Sequence, residues 1–141
     1  MVKFSKRDDE RILKAIRQAE DKTSGEIRVH VRKTCGPDAL AEAKKIFTRL
    51  GMHRTKRRNA VLLFIAFDSR QFALYADEGI YKKLPDSFWQ STRDKIGSYF
   101  SRGEFADGIA AGVLEIGHKL KTHFPLRADD KNELKDSLTK D

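Results

Sequence analysis

The sequence predicts an α/β fold, in which a mixed sheet lies between layers of helices. Three observations lead to this prediction. A segment of alternating apolar and polar residues and a later, continuous apolar run have the patterns of β-strands. A segment with helical spacing joins them, so the two strands should be parallel with a right-handed crossover. A second apolar run follows after a short turn, which indicates an antiparallel hairpin strand. The predicted order is α-β-α-β-β-α-α, with room for a fourth short strand.

The first helix is predicted over residues 5–22. Ser5 is a good N-cap, and Asp8 three residues later fits a capping box. Apolar residues recur there at helical spacing (Ile12, Leu13, Ile16 and Ala19). After a Thr-Ser-Gly stop, residues 26–32 alternate with a period of two, which predicts a half-buried strand.

The middle of the chain supplies a helix and the hairpin. Asp38 is expected to cap a helix that continues to about Leu50 and stops at Gly51. Residues 60–67 are uninterrupted apolar residues, as in a strand that is buried on both faces. After a turn at 68–71, residues 72–76 return as the partner strand of the hairpin.

Two further helices complete the predicted domain. Pro85 and Asp86 should open one helix, which Gly103 ends. The last helix should start near Phe105 and stop before Pro125. The domain would then span 1–126, leaving 127–141 as a polar, frayed or loosely helical tail that adds little stability.

Composition narrows the class of protein. The chain has 141 residues, 39% hydrophobic and 35% charged, which suits one soluble globular domain. A formal net charge of +8 favours anionic partners such as an acidic protein or a phosphorylated ligand. Nucleic acid is less favoured, because exposed aromatics interleaved with lysines are absent. The longest apolar run is far too short for a membrane span, and the charged start lacks a signal core. We therefore expect a cytoplasmic protein with no membrane association.

The predicted topology collects polar groups at one edge of the sheet. The starts of the first two strands and the end of the third should meet there, together with the start of a helix and the cationic loop at 51–58, which we call the basic loop. This edge would hold Glu26, Asn59, Asp77, Glu78, Asp86, Arg54 and Arg58. Carboxylate and amide oxygens beside cationic groups suit a hard cation or a metal-bridged phosphate. Open α/β sheets more often bind ligands at the opposite, carboxyl edge of their parallel strands.

Five segments together resemble the TPM domain family, in particular its small, single-domain cytoplasmic branch, in matching order over residues 5–125. They read TSGEI (23–27), LGMHRTKRRNAVLLFIA (50–66), YADEGI (75–80), LPDSFW (84–89) and YFSRGEFADGIAAGV (99–113). The resemblance implies an α/β sandwich, in agreement with the order above. The family includes a thylakoid-lumen acid phosphatase linked to photosystem II repair and bacterial members reported to bind calcium.

The resemblance also implies which residues to inspect. The recurring positions of the family correspond to Gly25, Glu26, Asn59, Arg70, Asp77, Gly79 and Asp86. Many members carry a Gly-x-Gly-Leu-Glu turn after the third strand, whereas this chain has Ala-Asp-Glu-Gly-Ile at 76–80. We expect a divalent cation, calcium or alternatively magnesium, bound by Glu26, Asp77, Glu78 and Asp86. Asn59, Arg54 and Arg58 would contact an anion or phosphate.

Two functions follow from these expectations. The first is divalent cation binding with weak metal-assisted phosphomonoester hydrolysis, for which no residue stands out as the nucleophile. The alternative is a non-enzymatic module that binds an acidic partner through its basic loop. Simpler structural roles compete with both, since residues 77–79 can form a plain turn, Asp86 can cap a helix and Glu26 can pair with an arginine. An enzyme requires the carboxylates and the loop to converge on a concave pocket.

Overall fold

A computed structural model describes residues 4–126 and 138–141. It confirms the predicted α/β class. The helices are α1 (Lys6–Glu20), α2 (Ala39–Arg49), α3 (Glu78–Tyr81), α4 (Gln90–Ser101) and α5 (Phe105–His123), with 3₁₀ turns at Met52–Arg54 and Asp86–Trp89. The strands are β1 (Glu26–Arg32), β2 (Ala60–Ala66), β3 (Gln71–Ala76) and β4 (Leu138–Lys140).

The four strands form one mixed sheet in the order β3-β2-β1-β4. β1 and β2 are parallel, in a register that pairs Glu26 with Ala60. β2 and β3 form the antiparallel hairpin, with Val61 opposite Ala76. The helical crossover between β1 and β2 therefore produces the parallel pair that the sequence predicts.

Helices cover both faces of this sheet. On one face α1 and α4 pack against α5, and the odd-numbered residues of β1 and β2 contribute to this larger core. On the other face α2 packs against β2 and β3 over a smaller core. Every residue of β2 is buried, which confirms that this strand is enclosed on both sides.

Small residues let α5 approach its neighbours closely. A Cβ atom added at Gly117 would lie 2.6 Å from the Cβ of Ala19 in α1. One added at Gly112 would lie 2.6 Å from Ile96 in α4. Both distances are too short for a side chain, so glycine at these positions brings the three helices into one layer.

The expectation that β1 is half-buried is wrong. Its apolar residues face the larger core, but the polar residues on the opposite face are buried as well: Glu26 is 3% exposed, Arg28 5% and His30 1%. A period of two identifies which residues share a face, but it does not reveal distant partners such as Thr139 and Asp141, which contact the buried His30 side chain.

The expectation of a frayed or loosely helical tail is also wrong for the last four residues. Residues 138–140 form β4, which pairs in parallel with β1 from Val29 to Val31. Asp141 accepts hydrogen bonds from Arg32 Nε (2.8 Å) and Arg49 Nη2 (2.7 Å), and it lies 2.9 Å from His30 Nε2. The rest of the expected tail, residues 127–137, lies outside the described residues.

In the described ranges 4–126 and 138–141, no helix is both long enough and apolar enough to cross a membrane.

Candidate functional site

The starts of β1 and β2 and the end of β3 meet at one edge of the sheet, as the topology predicts. Glu26 pairs with Ala60, and the Asp77 amide donates a hydrogen bond to the Ala60 carbonyl at 2.9 Å. Continuing the alternation of the strands places Glu26, Ala60 and Asp77 in one row on the α2 face. Two strand spacings separate the outer pair, so their Cα atoms are about 10 Å apart.

Three charged side chains at this edge form what we call the Arg58 cluster: Arg58, Asp77 and Glu78. Arg58 donates from Nε to Asp77 Oδ2 at 2.7 Å and from Nη2 to Asp77 Oδ1 at 3.0 Å, which is a bidentate pair. Its Nη1 donates to Glu78 Oε1 at 3.1 Å. The hydrogen bond to Asp77 raises the pKa of Arg58 above its ordinary value. Two carboxylates therefore converge on one positive group.

The backbone around the cluster is tightly constrained. Arg58 adopts a φ of 50°, a left-handed conformation that is uncommon outside glycine. A Cβ atom added at Gly79 would lie 2.2 Å from the Arg57 carbonyl oxygen and 2.5 Å from that of Arg58. The Gly79 amide donates to the Arg58 carbonyl at 2.9 Å. Only glycine fits at residue 79 while this backbone hydrogen bond holds the loop against α3.

Asp77 has a structural role in addition to its charge. It is the N-cap of α3, and its Oδ1 accepts a hydrogen bond from the Glu78 amide at 2.8 Å. Its side chain is only 4% exposed, whereas those of Arg58 and Glu78 are 40% and 37% exposed. The Asp77 carboxylate is therefore buried behind a guanidinium that water can reach.

Glu26 lies in the same row as Asp77, but its carboxyl group is hydrogen-bonded to that of Glu20 at the end of α1. Glu20 Oε2 also accepts a hydrogen bond from the Ile27 amide at 2.9 Å. Burial raises the pKa of the Glu20 carboxyl, and two carboxyl groups in hydrogen-bond contact favour one shared proton. Sequence reasoning missed Glu20, because its position in the last turn of a helix carries no sign of this long-range partner.

Three of the other predicted site residues make no hydrogen bond or ion pair with the side chains of the Arg58 cluster. Asn59 is 1% exposed, and its Nδ2 donates to Ser24 Oγ at 3.3 Å. Asp86 has a 94% exposed side chain whose described ion pair is with Arg93 at 3.5 Å. Arg54 is exposed and makes no ion pair with a described residue. Of the predicted site residues, Asp77, Glu78 and Arg58 are therefore the ones that the structure joins by direct hydrogen bonds.

No group of three or more His, Cys, Asp and Glu side chains in residues 4–126 and 138–141 is arranged to hold a metal ion. A four-carboxylate site does not fit this arrangement, because Glu26 is held by Glu20 and Asp86 points into solvent. The two carboxylates of the Arg58 cluster are the part of the predicted ligand set that shares one position.

The family model for the TPM domain matches residues 3–119 of the chain. The chain belongs to the TPM domain family. This TPM domain is also similar to the BA42 protein of the psychrophilic bacterium Bizionia argentinensis, whose structure was determined by NMR. The two share 38% identity over 98% of this chain and 95% of the other, with a TM-score of 0.91. The family resemblance predicted from the sequence is therefore confirmed.

A more distant solution NMR structure shares the fold. It is the N-terminal domain of the cg2496 protein of Corynebacterium glutamicum, with a TM-score of 0.65 and 15% identity. The alignment covers 95% of this TPM domain and 78% of that chain. None of the curated proteins matches this chain.

Proposed function

We propose that this TPM domain binds a divalent cation, calcium or alternatively magnesium, between Asp77 and Glu78, in exchange for the Arg58 guanidinium. The observation that supports the proposal is the convergence of three carboxylate oxygens on that single guanidinium, at 2.7, 3.0 and 3.1 Å. The position between the two carboxylates is favourable for a positive charge. Because Arg58 is 40% exposed, its side chain can move into water without crossing the core.

The chemistry of the two carboxylates suits a weakly bound, water-rich cation. Calcium takes six to eight oxygen ligands, and magnesium commonly takes one or two carboxylates and several waters. Asp77 and Glu78 supply up to four oxygens, and water would complete the shell. The buried Asp77 carboxylate favours a cationic partner at all times, since an unpaired buried charge is costly. Competition between Arg58 and the metal ion should keep the affinity low.

Calorimetry with calcium and magnesium tests the exchange on the wild type and two variants. Asp77→Asn keeps the size and the helix-capping oxygen but removes the charge, so we expect it to abolish binding. Arg58→Gln removes the internal competitor, so we expect it to bind the cation more tightly than the wild type does. Its melting temperature should also rise more on addition of calcium, because a ligand that binds only the native state stabilises it.

Asp86→Asn is the matched control, because Asp86 makes no described contact with the Arg58 cluster. It should bind calcium as the wild type does, and amide NMR should place the perturbations at 58–60 and 76–80. Absence of binding by both the wild type and Arg58→Gln would refute the proposal. A loss of binding in Asp86→Asn would instead restore the four-carboxylate site.

The proposal extends to a reaction: the bound cation would support weak hydrolysis of phosphomonoesters. A bound cation would polarise a phosphate oxygen, and Arg54, an exposed residue of the basic loop, would neutralise the developing charge. Hydrolysis of p-nitrophenyl phosphate that requires calcium or magnesium and falls in both Asp77→Asn and Arg54→Gln would support it. Cation binding without any turnover would limit the function to binding.

Binding of an acidic partner through the basic loop is the second candidate. It is favoured by Arg54, which is exposed and has no acidic partner among residues 4–126 and 138–141. The Arg58 cluster and Gly79 hold this loop in place, so the cost of ordering it on binding is small. Binding to an acidic peptide that weakens in Arg54→Gln and with added salt, but not in Asp77→Asn, would distinguish this function from cation binding.

A further inference from the structure

A cavity of about 620 Å³ lies at the opposite edge of the sheet from the Arg58 cluster. It opens between the β2–β3 turn and the α4–α5 turn, and we call it the hairpin cavity. Pockets that hold small ligands commonly have volumes of about 300–1,000 Å³. The hairpin cavity lies beyond the carboxyl end of β2, and that is the edge at which open α/β sheets usually bind ligands.

Aromatic rings form much of the cavity wall. Phe67 and Phe72 line it from the hairpin, and Phe100 and Phe105 from the helices. The Phe72 and Phe100 rings are 5.3 Å apart between centroids, and the Phe100 and Phe105 rings are 5.2 Å apart. All four side chains are only partly buried, so apolar surface remains open to the cavity. A ligand with an apolar, ring-sized body would remove that surface from water.

Arg70 supplies a positive charge to the same cavity. It sits in the hairpin turn with a φ of 55°, a conformation that residues other than glycine rarely adopt. Its guanidinium makes no hydrogen bond or ion pair with any residue in the described part of the chain. The nearby Asp68 also lines the cavity, but its described ion pair is with Lys33, at 3.9 Å. All the guanidinium donors of Arg70 therefore remain available to a ligand.

Gly97 lines the cavity from the helical side without a side chain of its own. It lies inside α4 and lines the cavity, and a Cβ atom added there would meet nothing within 4 Å. By contrast, a Cβ at Gly108, Gly112 or Gly117 of α5 would lie within 2.6–2.7 Å of another side chain. Glycine weakens the interior of a helix. At residue 97 no close contact requires glycine, so there is room for a larger side chain at this point of the cavity wall.

We propose that the hairpin cavity binds a small amphiphilic anion, with its charged head on the Arg70 guanidinium and its apolar body against the phenylalanine rings. A guanidinium binds carboxylate and phosphate groups in the same bidentate geometry, so both are candidate head groups. This site is separate from the Arg58 cluster, and its test does not depend on cation binding.

Three probes with one ring system separate the contributions of charge and apolar contact. They are 2-naphthoate, 2-naphthyl phosphate and the neutral 2-naphthalenemethanol, each titrated into the full chain and followed by amide NMR. We expect at least one of the anions to shift the amides of residues 65–72 and 97–105 and to bind more tightly than the alcohol. Which anion binds more tightly then identifies the head group.

Two variants connect the binding to named residues. Arg70→Gln should weaken binding of the anion about tenfold or more and leave the alcohol unchanged, because it removes only the charge. Gly97→Leu should abolish binding of all three probes by filling the cavity. Arg17→Gln, which removes an exposed arginine of α1 outside the cavity, is the matched control and should bind as the wild type does. Thermal unfolding of each variant checks that it folds. If Gly97→Leu does not fold, the comparison of Arg70→Gln with the wild type decides the test.

The proposal is overturned if neither anion shifts these amides at millimolar concentration. It is also overturned if Arg70→Gln binds the anions as tightly as the wild type does. Equal binding of the alcohol and the anions would show an apolar cavity without a role for Arg70, which likewise contradicts the proposal.

Discussion

Arg58 and Arg70 lie at opposite edges of the sheet, and their surroundings differ. At the amino edge of β1 and β2, Arg58 is hydrogen-bonded to both Asp77 and Glu78, and Gly79 is in contact with backbone carbonyls. At the carboxyl edge, Arg70 has no described partner and stands beside an open cavity with aromatic walls.

The difference shows that a concentration of charged residues in a sequence does not by itself mark a free binding site. The amino edge has both signs of charge, and these neutralise each other in the fold. The carboxyl edge also has ion pairs, such as that of Arg32 with Asp141, but Arg70 in the hairpin turn has no described partner and remains available. A cation at the amino edge must displace Arg58, whereas an anion at the carboxyl edge displaces only water.

The largest expected effect tests the strand that connects the two edges. Ile65 is 1% exposed and lies in β2. Replacing it by alanine should lower the free energy of unfolding by about 2–5 kcal/mol, because a buried side chain is removed from the core. Chemical denaturation measures the change. A midpoint that barely moves would show that β2 is not the centre of the core that both edges share.

The amino edge should tolerate no side chain at residue 79. Gly79→Ala places a Cβ atom within 2.2 Å of the Arg57 carbonyl oxygen, so the loop or α3 must shift. We expect a loss of about 1–3 kcal/mol in unfolding free energy, as for other overpacked sites. The amide signals of residues 58 and 77–80 should move as the Arg58 cluster rearranges. Unchanged stability would mean that this edge is less tightly packed than the comparison requires.

The pairing of β4 with β1 provides a second charge cluster that is neutralised internally. Deletion of residues 138–141 removes the β4 ladder and the Asp141 ion pairs with Arg32 and Arg49. We expect a loss of about 1–3 kcal/mol, since each net hydrogen bond contributes about 0.5–1.5 kcal/mol. Asp141→Asn keeps the strand and should cost less. An unchanged melting temperature after the deletion would show that β4 adds nothing to stability.

The same cluster should make stability depend on pH. Burial lowers the pKa of His30 below its ordinary value of 6.5, and the hydrogen bond from Arg32 lowers that of Asp141. The unfolded chain therefore binds protons that the folded chain does not, so stability falls as pH falls. As the pH is lowered, the loss of stability that is due to His30 should begin below about pH 6.5. The loss that is due to Asp141 should follow below about pH 4.

His30→Gln isolates the first of these two steps. The variant should flatten the loss of stability between about pH 6.5 and 5, as measured by denaturation at each pH, and leave the step below about pH 4 in place. An equally steep loss in wild type and variant would assign the first step to another group.

The smallest effect is expected at the carboxyl edge, with the opposite sign. Gly97→Ala adds a Cβ atom where nothing lies within 4 Å, and alanine is the better helix former. The variant should be more stable than the wild type by about 0.5–1 kcal/mol. Gly79→Ala and Gly97→Ala thus make the same glycine-to-alanine change at the two edges, with opposite expected effects on stability. A loss of stability in Gly97→Ala would show that the two edges do not differ in packing as described.

Local sequence patterns were enough to predict most elements. Ser5 and Asp38 cap the helices as expected, because a cap depends on residues three positions away. The first three strands, the hairpin and the parallel crossover also follow from local patterns: a period of two in β1, continuous apolar runs in β2 and β3, and the lengths of the connections. The same topology correctly brought Asp77, Glu78 and Arg58 to one edge.

Contacts between distant parts of the chain were beyond such patterns. His30 meets Thr139 across 109 positions, and Arg58 meets Asp77 across 19. The packing of whole elements decides the partners of such residues. It places Glu20 next to Glu26, and it places Arg70 beside a cavity and not beside a carboxylate. A residue type fixes which interactions are chemically allowed. Which partner a side chain contacts depends on which distant segments pack next to it in the folded chain. Once the pair is buried, removing one partner costs free energy, because the other polar group is left without a hydrogen bond.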